Sequence, residues 1–545
     1  MIRFLRVSRR LRMVRRMKSS GRVIRSFRLI AGLTLLSRVL GLVRECVFGY
    51  FFSTSSLMSA FRIAFMVPNL ARRLFGEGAM SAALVPTLTE HLVKEGEAVS
   101  RRFLGGLMTL VAAVLAGAVL LVEAVLLVGG RWWGDPAIRL SVLLLPYMPL
   151  ICLTAVAGAA LNVRRHFAMP AASPVILNVC IVVGTLLGAR LLGLEGHGLM
   201  IVVCLSILVA GAGQLASSVY VLRRESFSPV LTWRFGDSRI RGVFRLMGPM
   251  VLGMSAVQLN TLADYLIAYL VVSADGVRVG PAVLGYAHYL YQLPLGVFGI
   301  SLATAVFPDL ASKASTDDRE GLARTVTHGL QVAVFMALPA SVGIGFVAGP
   351  LVKALYERGE FEAASTQRVA STLVFYSLGL AAYFALHILV RTFYALQDSR
   401  SPARVAGIMV IVNFAMNLAL VFVLEERGLA LATSICAFVQ SLWLGRLLGR
   451  RLTELSWRPF WRGVSRTGTA TLFMGVVLAC LSQGAFGGTV ASSAASMPAV
   501  VQLGVLVIAG AMAFALAAWS LGCPELHTLR GRSLHTVPVA SGETA

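Results

Sequence analysis

Apolar residues fall in long blocks along this chain, broken by short polar or basic intervals. A helix needs about 20 mainly apolar residues to cross a bilayer. By that measure the pattern predicts fourteen spans, at roughly 27–52, 56–84, 103–129, 137–162, 170–190, 198–222, 244–272, 281–307, 325–349, 366–390, 403–424, 428–447, 467–484 and 498–521. Irregular backbone cannot face lipid, so the predicted class is an all-α polytopic membrane protein. The longest intervals, around 84–102 and 223–243, leave no room for a soluble domain.

Composition supports this reading. Of 545 residues, 57% are hydrophobic and 14% charged, against about 25% charged in a soluble domain; mean hydropathy is +0.79. The net charge of +24 comes from 49 Lys and Arg against 25 acids. With the N-terminus in the cytoplasm, only Arg131, Arg139, Arg190, Arg278, Lys353, Arg358, Arg368 and Arg427 fall on the far side, and Arg38, Arg44 and Arg62 lie within spans. All other basic residues are cytoplasmic, as positive-inside topology requires, and no nucleic-acid partner is needed to explain them. The C-terminus is then cytoplasmic too. Residues 1–28 hold eleven basic residues and no acid, more than topology demands. Two readings stay open: the arm holds anionic lipid of the inner leaflet, or the protein starts further in. The apolar block that follows is interrupted by Arg38 and Arg44 and has no A-x-A-like exit, so it reads as a retained first span. The seven cysteines form no C-x-x-C pair and read as small core residues.

The pattern repeats. Phe27-Arg28-Leu29 opens the first span and Phe244-Arg245-Leu246 the seventh. Ser81 to Leu88 resembles Ala303 to Leu310, and Ala160-Leu161-Asn162 with Asn178 returns as Ala395-Leu396-Gln397 with Asn413. Six is even, so the copies share one membrane orientation: two parallel six-helix lobes, a transporter plan. The predicted organisation is a basic arm 1–26, an N-lobe 27–222, a linker 223–243, a C-lobe 244–450, a segment 451–521 holding spans thirteen and fourteen, and a cytoplasmic tail 522–545.

Polar residues inside spans are costly and therefore informative. At 100° per residue, Arg38 shares a face with Glu45, and Ser37 with Arg44. These residues are either structural salt bridges or the wall of a cationic cavity, since one glutamate cannot neutralise two arginines. Guanidinium forks suit phosphate. In the second span Ser59, Arg62, Asn69 and Arg73 fall near one stripe with Arg72 round from it, and Arg72-Arg73 also fit a snorkelling pair. Asp264, Asn413, Asn417 and Thr433 are candidates for a small-cation site, or the amides simply tie helices together. No H-E-x-x-H, nucleophile elbow, P-loop or paired carboxylates within one span occurs. The chain reads as a transporter without a cofactor, driven by Na+ or H+, by the membrane potential, or by the substrate's own gradient.

Several stretches resemble one family. Ser37 to Glu45, Ala64 to Ser81 with Val85-Pro86, Arg165 to Pro174 with Asn178, Tyr291 to Gly299, and Thr392 to Asp398 with Ser401-Pro402 are together similar to the signature of the MurJ (MviN-type) lipid II flippases. The resemblance covers about residues 26–450. It implies a fourteen-helix member of the multidrug/oligosaccharidyl-lipid/polysaccharide exporter superfamily in the bacterial inner membrane, acting as a monomer. The implied substrate is the undecaprenyl-pyrophosphate-linked disaccharide-pentapeptide. It would be taken up in a cationic central cavity, with the last two helices forming a groove for the tail. Carried over by motif, the functional residues are Arg38, Arg44, Arg72 and the acid Glu77. Two positions depart: Ser59 stands where the family has an acid, and Tyr289 where it has an arginine. Arg62, one turn from Ser59, is the candidate replacement cation. The departures leave open a variant lipid-linked substrate, and an ion-coupled exporter of another lipid-linked oligosaccharide or drug is the competing reading.

Overall fold

The computed structural model describes residues 28–74, 80–128, 134–230, 232–233, 237–484 and 498–526. The arm 1–26, most of the tail and Glu77 lie outside the described residues. The chain divides into two compact units, the first ending at Leu262 and the second starting at Ala263.

In the first unit, helix α1 covers 28–52 and ends at Ser53, which adopts φ +50°. Ser55 starts α2 (Ser56–Ala71): its Oγ accepts from the Met58 amide at 3.2 Å, satisfying one of the donors a helix start leaves open. Pro68 lies inside α2, and a π turn at 72–74 follows. The expected span 56–84 takes in α2 and the start of α3 (Met80–Lys94), with 75–79 outside the described residues. Next come α4 (Glu97–Val128), α5 (Pro136–Leu144) and α6 (Tyr147–Val163). Helices α5 and α6 form one apolar stretch broken at Leu145–Pro146, because proline has no amide to donate. Helices α7 (Ala168–Arg190) and α8 (Gly196–Arg224) complete the bundle. Helix α2 packs on α5, α3 on α6, and both α6 and α7 on α8. Fully buried Tyr147 sits against Gly211, where a Cβ would lie 2.7 Å from the ring.

The segment after α8 is pinned to α4. Arg101 Nε donates to the Ser228 carbonyl at 2.9 Å, and the Val230 amide donates to the Arg101 carbonyl at 3.2 Å. The approach is close because position 105 is glycine: a Cβ there would come within 1.8 Å of the Val230 carbonyl oxygen. Backbone cannot yield as a flexible side chain can. Gly105→Ala is therefore expected to lift residues 228–230 off α4, seen as faster amide exchange at Val230. Gly117→Ala, in the same helix with nothing within 4 Å, is the control expected to leave that exchange unchanged.

Helix α9 (Ser238–Val271) begins six residues before the predicted span. It is followed by two short strands, β1 (Ser273–Ala274) and β2 (Val277–Arg278), paired antiparallel. This hairpin corrects the all-α expectation locally. Asp275 and Gly276 adopt φ +50° and +78°, the positive values a two-residue hairpin turn requires.

The second unit continues with α10 (Gly280–Pro294), a π turn at Leu295–Gly299 and α11 (Ile300–Ser315). Helix α12 (Arg319–Tyr356) is capped by Asp318, whose Oδ1 accepts from the Gly321 amide at 2.8 Å. Helices α13 (Ala363–Leu378) and α14 (Leu380–Ala395) meet at Gly379 with a 43° bend. Then come α15 (Arg400–Leu424), α16 (Glu426–Arg451), α17 (Trp457–Gly484) and α18 (Ala499–Ser520). Helices α17 and α18 pack on each other and on α12. Among the described residues ten helices are long and apolar enough to cross a membrane, or eleven with the bent α13–α14 pair. In α1 every 18-residue stretch contains Arg38, Arg44 and Glu45.

Asp398, between α14 and α15, holds the first amides of α15 and the Arg451 side chain of α16. Its Oδ1 accepts from the Arg400 and Ser401 amides at 3.0 Å each, and Arg451 Nη1 lies 2.5 Å from Oδ2. Desolvation alone would raise its pKa, but the Ser401 hydrogen bonds, helped by Arg451, outweigh it and the pKa is lowered. A depressed carboxylate pKa contributes stability that is present above the unfolded value and lost as pH falls through the folded one. Asp398→Asn is therefore expected to lower the melting temperature at neutral pH and to flatten its fall on acidification below the usual aspartate range. Thermal unfolding in detergent across that window checks this.

Candidate functional site

The site forms because the turn at 53–55 folds α2 back toward α1, bringing Arg62 to Glu45, seventeen residues away. Glu45 is fully buried. Arg44 Nη2 donates to Glu45 Oε1 at 2.7 Å, and Arg62 Nη2 forms a short contact with Oε2. Both guanidinium groups lie over the same buried ring, 5.9 and 6.0 Å from the Phe48 centroid. Phe48 is itself held edge-on by Phe61 at 5.5 Å. An arginine over an aromatic face is stabilised by the ring quadrupole. The triad Arg44–Glu45–Arg62 thus carries one net positive charge, and the two arginine side chains keep 17% and 15% of their exposure.

Asn178 of α7 braces this arrangement. Its Oδ1 accepts from Arg44 Nη1 at 2.9 Å, and its Nδ2 donates to the Ser37 carbonyl at 3.1 Å. One amide thus holds α1 at two levels, the Ser37 carbonyl and the Arg44 side chain. Arg38 lies half-buried on α1. Further along α2, Arg72 Nε donates to Asn69 Oδ1 at 3.0 Å, and Arg73 Nη1 to Gln258 Oε1 of α9 at 3.1 Å. Ser59 is buried, at the start of the same helix. Apart from Glu77, outside the described residues, the first-unit candidates all fall on α1, α2 and the π turn.

In the second unit, Asp264, Asn413, Asn417 and Thr433 come together as the sequence suggested. Asn417 Nδ2 donates to Asp264 Oδ1 at 2.5 Å and to Asn413 Oδ1 at 2.9 Å, and Thr433 is a further hydrogen-bonding neighbour of Asp264. Asp264, Asn413 and Asn417 are buried. Tyr289 is half-buried on α10, in the second unit.

Asn178 is the residue sequence reasoning undervalued. The signal was present, because Asn178 and Asn413 are matched positions of the repeat. Each is linked to an ionisable group of its own unit, Asn178 to Arg44 directly and Asn413 to Asp264 through Asn417.

A multi-pass helical bundle with two part-buried arginines sharing one buried carboxylate has the make-up of a membrane transporter. More particularly, the chain belongs to the lipid II flippase MurJ family, whose model matches residues 48–497. A probable lipid II flippase MurJ of Vibrio cholerae is 32% identical over 437 residues, 76% of this chain and 81% of that protein. One from Rhizobium tropici is 29% identical over 515 residues, covering 92% and 95%. A solved lipid II flippase MurJ in an inward closed conformation shares the fold, with TM-score 0.75 at 24% identity over 92% of this chain and 99% of that one. An inward-facing multidrug resistance MATE family transporter of the MOP superfamily follows at TM-score 0.63 and 15% identity over 78% of this chain and 98% of that one.

Proposed function

We propose that this protein moves lipid II, the undecaprenyl-pyrophosphate-linked peptidoglycan precursor, from the inner to the outer leaflet of the bacterial plasma membrane. The observation that carries the site assignment is the shared carboxylate: Glu45 satisfies part of two arginines. A pyrophosphate offers more charge and more acceptors than one carboxylate. On arrival it takes over the outward-facing donors of Arg44 and Arg62, with Arg38 and Arg72 adding charge nearby and Glu77 retained from the family motif. Arginine's fixed fork favours this exchange over lysine's point charge.

The same reading places fourteen spans in two parallel lobes with both termini cytoplasmic, and a monomer as the working unit. The basic arm 1–26 rests on anionic lipid. Alternating access then carries the head group across while the tail stays in lipid. The membrane potential biases such a cycle by about 2.3 kcal/mol per charge per 100 mV, and Asp264 with its amides is the place for a coupling cation or proton. Ser59 and Tyr289 favour a second reading in detail only, a variant lipid-linked head group in the same site.

The test is depletion in cells with no other flippase. Labelled lipid II is expected to become inaccessible at the outer leaflet and to recover on expression of this chain. Normal outer-leaflet precursor in depleted cells overturns the proposal.

A further inference from the structure

The contacts of α14 divide its circumference into three sides. At 100° per residue, Phe384, Ile388 and Thr392 share one side, and all three are buried. That side packs on the π turn and on α12: a Cβ at Gly299 would lie 3.0 Å from the Phe384 ring, and one at Gly329 3.4 Å from Ile388. Ala382, Leu389 and Phe393 share a second side, toward α16. There Ser441 Oγ donates to the Ala382 carbonyl at 2.8 Å, and Arg451 lies over the Phe393 ring at 5.6 Å. The third side carries Tyr383, His387 and Arg391. Tyr383 meets Tyr291 of α10 edge-on at 5.7 Å. Beyond it, His387 and Arg391 are half-buried and within electrostatic reach of each other. Arg368, Arg451 and Lys313 of the same unit are engaged, by Glu425 and Glu426, by Asp398 and by Thr325 respectively. Arg391 forms no ion pair or hydrogen bond among the described residues. It lies inside α14, directly after Ile388-Leu389-Val390. Arg400 and Arg404, beyond the end of that helix, are exposed instead, as snorkelling residues at a membrane rim are.

We infer that Arg391, with His387 one turn away, is an anion-binding group of the second unit, and that the anion it takes is the pyrophosphate of the lipid-linked substrate. The identity of the anion rests on the flippase reading; the site itself rests on the geometry of α14. A charge held inside an apolar helix without a counter-charge is costly and marks a functional position. Guanidinium offers paired N–H groups to two oxygens of one phosphate and keeps its charge. A ring nitrogen of His387 adds a donor for a neighbouring oxygen. Helices α10 and α14 together contain no acidic residue, so an incoming anion meets no like charge from either. Helix α10 also contains no lysine or arginine, so between these two helices the positive charge comes from Arg391.

The test reads the guanidinium directly in the unaltered chain. Phenylglyoxal modifies arginine, and mass spectrometry of the full chain in detergent follows the modification at Arg391. Undecaprenyl pyrophosphate is expected to suppress it, and undecaprenol, which has the tail without the anion, to leave it unchanged. Arg391 unreactive without added lipid, or equally reactive with undecaprenyl pyrophosphate, overturns the inference. Equal protection by undecaprenol overturns it as mere covering by the tail, and equal protection by phosphatidylglycerol as a contact with bulk anionic lipid. Arg391→Gln is expected to weaken undecaprenyl pyrophosphate binding about 10-fold or more, the scale of one charged hydrogen bond. Its melting temperature is expected to stay at the wild-type value, because Arg391 has no described partner to lose. Arg391→Lys is expected to recover only part of the affinity, since a point charge lacks the fork. Unchanged affinity with a lowered melting temperature would make Arg391 structural and overturns the inference. Protection of Arg391 by undecaprenyl pyrophosphate in a protein that does not translocate lipid II would support the anion site and count against the flippase reading alone.

Discussion

Arg44→Ala is expected to abolish rescue of flippase-depleted cells and to lower lipid II translocation in proteoliposomes on the order of 100-fold, from the loss of one to two charged hydrogen bonds at about 1.5–3 kcal/mol each. The residue occupies three roles at once. It donates to Glu45 and to Asn178, and it lies over Phe48. Its Nε is buried without a hydrogen bond among the described residues, so its two terminal nitrogens carry all of its polar contacts there. Arg44→Lys keeps the charge but cannot span Glu45 and Asn178 with one planar fork. It is expected to recover only a minor part of the rate. Equal transport by wild type and Arg44→Lys would show that charge alone matters and that the fork geometry does not.

Glu45→Gln is expected to destabilise the protein by about 3 kcal/mol, near the lower end for removing one partner of a buried ion pair. The sign follows from what is left behind. Two guanidinium groups would face each other across a neutral amide, with the carboxylate that separated them gone. Removing one of the cations as well should relieve most of this, so Glu45→Gln with Arg62→Gln is expected to be more stable than Glu45→Gln alone. Non-additivity is the signature of residues in one network. Thermal unfolding in detergent of the two singles and the double measures it; strictly additive losses would mean that Arg62 and Glu45 do not act as a pair. The same cycle asks whether Arg62 replaces the cation that Tyr289 lacks. If Arg62→Ala supports growth as well as wild type, it does not.

Much of the protein was legible in one dimension. Span-length apolar blocks are a direct consequence of a bilayer offering no backbone partners, so the helical class and the places of most helices follow from residue order alone. The helical period put Ser37 and Arg44 on one face before any packing was known, and the paired amides Asn413 and Asn417 on another. The repeat marked Asn178 and Asn413 as equivalents.

What sequence reasoning could not supply was contact between separate helices. That Glu45 meets Arg62, and not only its chain neighbour Arg44, depends on how α2 returns after the turn at Ser53. That Asn178, 134 residues away, joins Arg44 depends on how α7 packs. That α4 tolerates the backbone of Val230 depends on a missing Cβ at Gly105. The two-residue hairpin at Asp275-Gly276 had a local signal, but it is too short to show in a hydropathy pattern. Apolar blocks and periodicity are sums over neighbours in the chain, so the sequence by itself determined the helical class and the places of most helices. Partner choice among those charges is set by distances of 3 Å or so between remote residues, and only the tertiary structure decided that the buried glutamate belongs to two arginines at once.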